Sequence, residues 1–429
     1  MSRTGDDYSN QAADICNAVQ QVDDSLVQMA LEDLPQEEVY EEAEDAADKK
    51  KGRSFFGKIG KGVYKRSTSF AKFFSGEKDQ DTEDMKAKIF ACRSPYASKT
   101  GGMAIQDPEH AKLCRGVLGL MIKQMGRNLL QGQNVMNTSF PIQCCQPRTI
   151  LEICAEQSRF FHEFLPRAAG LTDPVERLKT VSACFIAGMS LTSNNFLKPL
   201  NPILGETLQC ELGDGSRLYM EQSCHHPPVS AFLVESPDQA YKYHGHTTFK
   251  MGFGYNKMYV TMSGRRDVEF KDGTIIEVGY PEDRVNNLLF GEMHNESLGT
   301  QSFVDKKNKL RVVITYNSRS GLPSDFFQGV LEKFDPANPD QEGEMLSSIE
   351  GSWVGFVDFD KVRYWDIRNS SKQTLTETPN ALTSDSRRRT DRNALDAKDY
   401  EKAQAEKMRL EEIQRAERKL REAVHGKHK

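Results

Sequence analysis

From Ser216 to Ile367 the chain repeats one pattern: short β-branched and aromatic runs separated by Gly, Asn and Asp. The runs are "SRLYMEQ", "SAFLVES", "MYVTMSG", "TIIEVGY", "LRVVITY", "GSWVGFVDF" and "KVRYWDI", with turn text such as "GDGS" and "DGT" between them. No helical run interrupts the series. Parallel neighbours need a long crossover, usually a helix, so strands in this order predict an antiparallel meander. A meander of about 150 residues is large enough to curl into a barrel.

Helical text flanks the strands, which makes the expected class α+β. "DPEHAKLCRGVLGLMIKQMG" opens with Asp107 as an N-cap before Pro108, and "DPVERLKTVSACFIAGMSL" repeats the Asp-Pro start. "PRTILEICAEQSRFFHEFL" has helical spacing between them, and a charged helical segment runs from Asp396 to Ala423. At 429 residues and 38% hydrophobic content, the chain can bury one large core or two smaller ones.

Charge is distributed unevenly. Residues 1–48 carry 14 Asp/Glu and a single basic residue, Arg3, and are expected to be largely disordered. The sign then inverts, with nine Lys/Arg and six aromatics in residues 49–74. At 100° per residue, Phe55, Phe56, Ile59, Val63, Phe70, Phe73 and Phe74 fall on one face of a helix. Lys58, Lys61, Lys65 and Lys72 fall on another. This pattern predicts an interfacial helix on anionic membrane, or a lid packed on the barrel. Gly57, Gly60 and Gly62 weaken the helix away from a surface. Segment 49–76 is therefore set apart from an expected linker at 77–102, a globular unit at 103–423 and a basic tail at 424–429.

Other classes are excluded by what the sequence carries. A net charge of −5 and a pI near 6.1 argue against a general nucleic-acid binder. Nine scattered cysteines with no Cys-x-x-Cys pair indicate a reducing compartment without structural zinc. The start, "MSRTGDDYSN", lacks the basic and apolar regions of a signal peptide, and runs such as Val181–Leu191 are too short to span a bilayer. A cytosolic protein is expected. "GFG" at 252–254 lacks the rest of a dinucleotide fingerprint, and no cofactor is expected.

One stretch stands out chemically: "MEQSCHHPPVSAF", Met220–Phe232. Neighbouring residues of a regular strand face opposite sides, so His225 and His226 could not meet one ligand there. Pro227 and Pro228 end the ladder and push His226 towards extended or turn geometry, which lets both rings converge. A metal site would need a third ligand, for which His244 and His246 are the nearby choices. Cys224 with His225 could form a nucleophile pair, although sequential neighbours rarely reach the geometry. An anion clamp, with imidazole N–H groups donating to phosphate, and a simple packed turn are the other readings. Composition does not choose among them.

The stretch resembles the signature of the oxysterol-binding-protein-related family, matching Glu221, Gln222, His225, His226, Pro227 and Pro228; Ser223 and Cys224 replace the family's usual Val and Ser. "FLKPLNPILGET", Phe196–Thr207, is similar to the family's Lys-Pro-x-Asn-Pro-x-Leu-Gly-Glu segment. Ser384–Arg415, ending in Glu-Glu-x-Gln-Arg, is similar to its C-terminal segment. With "FPIQCCQPRTILE" and "GSW" the resemblance covers residues 103–423. It implies a lipid-binding domain built as a large, near-complete β-barrel with a hydrophobic tunnel, and no catalytic chemistry. The mouth would clamp the headgroup of phosphatidylinositol 4-phosphate through Lys198, Asn201, His225, His226, Lys407, Glu411 and Arg415. The last three are spaced four apart, so they share one helix face independently of the resemblance. Arg415 would fork onto phosphate, Lys407 would act as a point charge, and Glu411 would hold both in place.

The implied function is exchange of phosphatidylinositol 4-phosphate for a sterol or phosphatidylserine between membranes, by a protein peripheral on endoplasmic-reticulum, Golgi or plasma-membrane contacts. Burying one eighteen-carbon chain is worth ~14 kcal/mol, at about 0.8 kcal/mol per CH₂, so extraction requires an enclosed apolar tunnel. The rival classes are a lipid sensor or scaffold, and a phosphoinositide hydrolase using Cys224 or the histidines. "EEVYEEAED", Glu37–Asp45, resembles the acidic motif that docks family members on an endoplasmic-reticulum receptor of the VAP type, which implies a contact through Glu38–Glu44. No pleckstrin-homology or ankyrin text precedes the core, as in a short family member.

Overall fold

The structure, a computed structural model, describes residues 79–105, 111–112, 114–116, 142, 145–192, 197–225, 228–254 and 256–425. The acidic and basic segments up to residue 78, the VAP-type motif, most of the helical text at 107–126, and His226 with Pro227 lie outside these residues.

Nineteen described strands carry the architecture: β1 Met103–Ala104, β2 Cys145–Thr149, β3 Lys198–Leu200, β4 Thr207–Leu212, β5 Arg217–His225, β6 Pro228–Glu235, β7 Tyr241–Gly254, β8 Lys257–Ser263, β9 Arg266–Phe270, β10 Ile275–Val278, β11 Glu282–Asn286, β12 His294–Leu298, β13 Thr300–Asp305, β14 Leu310–Tyr316, β15 Phe326–Lys333, β16 Glu344–Ser352, β17 Phe356–Phe359, β18 Val362–Asp366 and β19 Leu375–Glu377. The described helices are α1 Asp79–Cys92, α2 Ile150–Ala155, α3 Phe161–Gly170, α4 Pro174–Thr192, α5 Thr390–Asp396 and α6 Tyr400–His425. Seventeen strands form one sheet, while β2 and β3 pair with each other in parallel. Every ladder described within the large sheet is antiparallel, the meander its sequence predicts.

The sheet forks at β7. The first half of this long strand, Tyr241–Gly245, bonds β9, and the second half, Thr248–Gly254, bonds β8. One branch continues from β9 through β10, β13 and β14; the other runs from β8 through β11 to β12 and β1. Two glycines make the fork. A Cβ on Gly245 (φ +150°) would sit 1.8 Å from the Arg265 carbonyl oxygen, and one on Gly264 (φ +130°) 2.2 Å from that of His246. The close backbone approach lets one strand change partner without breaking.

Helix α4 is buried on every side from Arg177 to Leu191, as a helix apolar all round must be. It packs against β10, β13, β14, β17 and β18. Its hydroxyls are satisfied within the helix: Ser182 donates to the Leu178 carbonyl at 2.8 Å and Ser190 to that of Ala187 at 2.7 Å. The main core gathers this helix, α3 and the strands around it, including Phe161, Phe185, Tyr243 and Trp353.

Three expectations need correction. Residues 77–102 are more than a linker: α1 starts at Asp79 and buries Ile89 and Cys92 against Phe326 and Phe356. The apolar residues that dock it, Met85, Ile89 and Cys92, are few and confined to the stretch from Met85 to its end, so its text reads as polar. "GSWVGFVDF" is two strands, because Gly355 closes a tight turn with its N–H on the Ser352 carbonyl. The C-terminal helical segment begins at Thr390 and breaks between α5 and α6, where Lys398 takes positive φ.

The segment after α1 is pinned by charge. Arg93 meets Asp325 at 2.5 Å, both side chains at most 5% exposed, and Asp325 also accepts from Ser352 Oγ and from the Gly102 N–H at 3.1 Å. Asp325→Ala should destabilise the protein by about 3–5 kcal/mol, since it strands a buried guanidinium. Urea unfolding measures the loss; a change below about 1 kcal/mol would show that this pin holds nothing.

Candidate functional site

A cavity of about 420 Å³ opens among β5, β6, β7, β8, β11, α2 and the end of α4. Its volume lies within the range of ligand pockets, and its lining is mostly apolar. Period-two alternation supplies the walls: Met258, Val260 and Met262 on β8, and Leu218, Met220 and Gln222 on β5. On β5 the phase then changes, so that His225 lines the cavity and Cys224 does not.

A β-bulge causes that change. The β5–β6 register shifts between Gln222 and Cys224, leaving Ser223 as the extra residue. The next side chains swap faces and His225 is turned inward opposite Pro228. Gln222, 1% exposed, locks the bulge by donating to the Cys224 carbonyl at 2.8 Å and accepting from Ser230 Oγ at 2.7 Å. The inward turn of His225 thus comes from the bulge before the prolines, and the ladder does not end at Pro228 as expected, since Pro228 pairs with His225 and opens β6.

The metal alternative disperses. His244 and His246 are not part of the lining, and His244 pairs instead with Glu269 at 3.4 Å. Among the described residues, no group of three or more His, Cys, Asp or Glu could hold a metal ion.

Around the His225 end, the structure gathers other predicted residues. Lys198 and Asn201 line the same cavity, and Lys198 Nζ donates to Asn201 Oδ1 at 2.8 Å. Helix α6 reaches them by docking Ala403 in a small cluster with Ile142, Cys145 and Leu200. One turn on, Lys407 comes within electrostatic reach of Cys145, as does Lys198: burial raises that thiol's pKa and both lysines act to lower it. Lys407 pairs with Glu411 at 3.1 Å, its side chain only 11% exposed. Arg415, a further turn along, is exposed. Lys198, Asn201, His225 and Lys407 therefore belong to one neighbourhood, with Glu411 beside Lys407.

Other residues build that neighbourhood without touching its opening. Arg389, 9% exposed, forks onto Asp391 at 2.6 and 3.0 Å, meets Glu206 at 2.7 Å and donates to the Asn201 carbonyl at 2.8 Å. Burial opposes its charge, but Glu206 and Asp391 outweigh burial and hold the guanidinium above its ordinary pKa. Glu206 also accepts from Ser386 at 2.6 Å and from the Ile203 N–H at 2.9 Å. This knot joins the β3–β4 loop to the α5–α6 segment. Glu206, Arg389 and Asp391 stand inside the two motifs already quoted, which was their signal; a sequence does not show that one motif's acid meets the other's arginine.

Deeper in the cavity lies a polar end. Arg266, 7% exposed, donates to the Val278 and Gly279 carbonyls and stacks on Tyr280 at 3.6 Å. Asp283 lines the cavity nearby and accepts from Ser297 at 2.9 Å. Burial pushes its carboxyl up to about 6 against the pull of Ser297 and Arg266.

Arg389→Met should cost about 3–5 kcal/mol, because two carboxylates stay buried without their cation. Arg389→Lys should recover only part of it, as an ammonium cannot fork. Denaturant unfolding of both variants checks this; wild-type stability in the Met variant would refute the knot.

The geometry can now be set beside known proteins. The profile of the family described as oxysterol-binding protein matches residues 121–429. Oxysterol-binding protein 9 of Dictyostelium discoideum is 31% identical over 368 residues, covering 81% of this chain and 84% of the relative. Oxysterol-binding protein-related protein 3B of Arabidopsis thaliana is 30% identical over 308 residues, 66% of each chain. Among solved structures, the Osh3 ORD from Saccharomyces cerevisiae in complex with PI(4)P superposes with a TM-score of 0.57 at 24% identity, over 71% of this chain and 84% of that one. The Osh1 ORD domain in complex with cholesterol superposes with a TM-score of 0.60 at 21% identity, over 80% and 89%. These two likenesses establish the shared fold, and the profile and the 31% relative establish the kinship: the chain belongs to the oxysterol-binding protein family.

Proposed function

We propose that this chain carries lipids, binding the headgroup of phosphatidylinositol 4-phosphate at the cavity mouth and exchanging it for a sterol or phosphatidylserine between membranes. The observation that carries the reading is the convergence of Lys198, Asn201 and His225 on one opening of an apolar cavity, with Lys407 close by. Cations beside such an opening suit a phosphorylated headgroup whose acyl chains enter the tunnel. The Osh3 domain solved with PI(4)P and the Osh1 domain solved with cholesterol give the two ligand classes by analogy. Within this reading His226 completes the clamp, Arg415 swings onto phosphate, and Glu411 orients Lys407. The basic segment from Phe55 to Phe74 brings the mouth to anionic membrane, and Glu38–Glu44 meets a VAP-type receptor. No bond is made or broken; one tunnel serves both lipids, so they compete.

His225→Ala with His226→Ala removes two donors to a charged phosphate, each worth about 1.5–3 kcal/mol. Phosphoinositide affinity should fall by roughly 10²–10⁴, with sterol binding nearly unchanged. Titration of both ligands decides it. Equal loss for both would mean that the histidines only support the wall, and release of inorganic phosphate on incubation would mean a hydrolase.

Asp283 sets a pH dependence for the tunnel ligand. A hydrocarbon ligand expels water from beside its carboxyl and raises a pKa already near 6. The loaded protein then holds more protons than the empty one, so affinity rises as pH falls. Each further unit of pKa shift gives up to about tenfold between about pH 8 and pH 5. Asp283→Asn should flatten the profile; an unchanged slope in that variant would remove Asp283 from the account.

A further inference from the structure

The two wall strands beside the mouth extend beyond it. Hairpin β5–β6 turns back at His225 and Pro228, and its outer strand last pairs with β7 at Val229 and Thr248. Strand β7 continues from Phe249 to Gly254, about 20 Å at ~3.3 Å per residue. It turns into β8 with Gly254 opposite Lys257, and Lys257 lies opposite Asn286 of β11. The β7–β8 end at Asn256–Lys257 and the β11–β12 loop are thus adjacent tips that lie beyond the end of the β5–β6 hairpin.

One side chain staples them together. Asn256 Oδ1 accepts from the Leu289 N–H at 2.7 Å, Asn256 Nδ2 reaches Asn287 Oδ1 at 3.3 Å, and the Asn256 carbonyl accepts from the Leu288 N–H at 3.2 Å. Asn287 and Gly291 both adopt positive φ and bracket the triplet Leu288-Leu289-Phe290. Such turn residues usually border polar text, and an apolar triplet between them is out of character for a loop. The triplet divides its labour. Leu288 is buried and lines the cavity with Met293, whereas Phe290 is 47% exposed and Leu289 partly so. Lys257 stands at its base opposite Asn286, Lys250 lies four residues back from Gly254 along β7 at the level of Glu282, and Arg115 donates to the Gly291 carbonyl. The single acid of the two tips, Glu292, accepts from Ser98.

We propose that the stapled tips are a bilayer-docking edge: Leu289 and Phe290 enter the acyl boundary of an anionic membrane while Lys257 and Arg115 meet its headgroups. The occupant follows from position and charge. The tips stand beside the opening of an apolar cavity and carry exposed apolar groups there, and with Arg115 on the Gly291 carbonyl the cations Lys257 and Arg115 outnumber the acid Glu292. The staple fixes the loop beforehand, so little ordering entropy is lost on contact. The proposal rests on the lipid-carrier reading for its purpose, yet membrane contact is measured separately from lipid occupancy.

The test uses the full chain with Phe290→Trp. Both natural tryptophans, Trp353 and Trp365, are at most 2% exposed, so a change in emission reports the introduced indole. Vesicles of phosphatidylcholine with phosphatidylserine should shift its emission to the blue, and bromine on the acyl chains should quench it. Phosphatidylcholine alone or high salt should weaken both effects. Indole emission unmoved on vesicles that co-sediment the protein overturns the proposal, as does emission already blue-shifted without them, which would place another segment over the loop. The signal should also survive Phe55, Phe56, Phe73 and Phe74→Ser; its disappearance would make the tip contact a by-product of the basic segment. Leu289→Ser with Phe290→Ser should lower vesicle partitioning and transfer rate about tenfold while leaving affinity for a soluble short-chain phosphoinositide unchanged. Parallel loss of soluble-lipid binding would make the loop a tunnel wall only. Failure of the wild type to bind any phosphoinositide would refute the carrier reading and leave the indole result standing.

Discussion

The contact on which the site depends is the fork of Arg389 onto Asp391 with Glu206 across from it. A buried cation between two buried carboxylates is tolerable only as a complete set, and an incomplete one is worse than none. The set joins two stretches that are far apart in the chain. Glu206 enters the large sheet just before β4, and Arg389 leads into α5. Around it the neighbouring pairs repeat the theme: Arg392 with Glu152 at 2.8 Å, and Ser386 with Thr149 at 3.1 Å. The loop bearing Lys198 and Asn201 and the helix bearing Lys407 are thus held to one frame, although far apart in the chain.

The cavity separates two kinds of work. Its walls are alternating strand residues, whose apolar faces give affinity without discriminating among hydrocarbon ligands. On the lipid-carrier reading, discrimination would fall to its polar residues, Lys198, Asn201 and His225 in one group and Arg266 and Asp283 in another. A diacyl phosphoinositide and a lipid of other headgroup would share the walls and differ at these groups. On that reading competition and selectivity would come from different residues, and each could be altered alone.

Much of the fold was legible because its signals are local. Alternation in "MYVTMSG" and "SRLYMEQ", all-round apolarity in α4 and Asp-Pro at its start each depend on a few consecutive residues. The antiparallel order followed from the lack of helices between strands. What could not be read needs distant partners. Strands such as "HNESL" and "RDVEF" are polar or charged and earn their place through cross-strand bonds, as in the pairing of Arg284 with Glu296 across β11 and β12. α1 has no strong stripe and is placed by Arg93 and a few buried side chains. At the site, His225 was legible from its motif, but the bulge at Ser223 that turns it inward is a register event between two strands. Likewise Glu411 was placed beside Lys407 by helix spacing, whereas the Glu206–Arg389 pairing has no local signature.

That pairing has a consequence for how the protein is made. Its partners are 183 residues apart, and β19, which closes onto β4, lies 165 residues beyond its partner at the Thr376–Glu211 contact. Contacts of such separation are costly to form early, and a chain emerging from the ribosome builds its walls from β4 onward before either can exist. A nascent chain that has released β4 to β18 has most of the apolar lining, yet no partner for Glu206 and no α6. The Glu206–Arg389 pairing and the α6 side of the cavity are therefore the last parts completed in synthesis, and until then the apolar lining lies open to water.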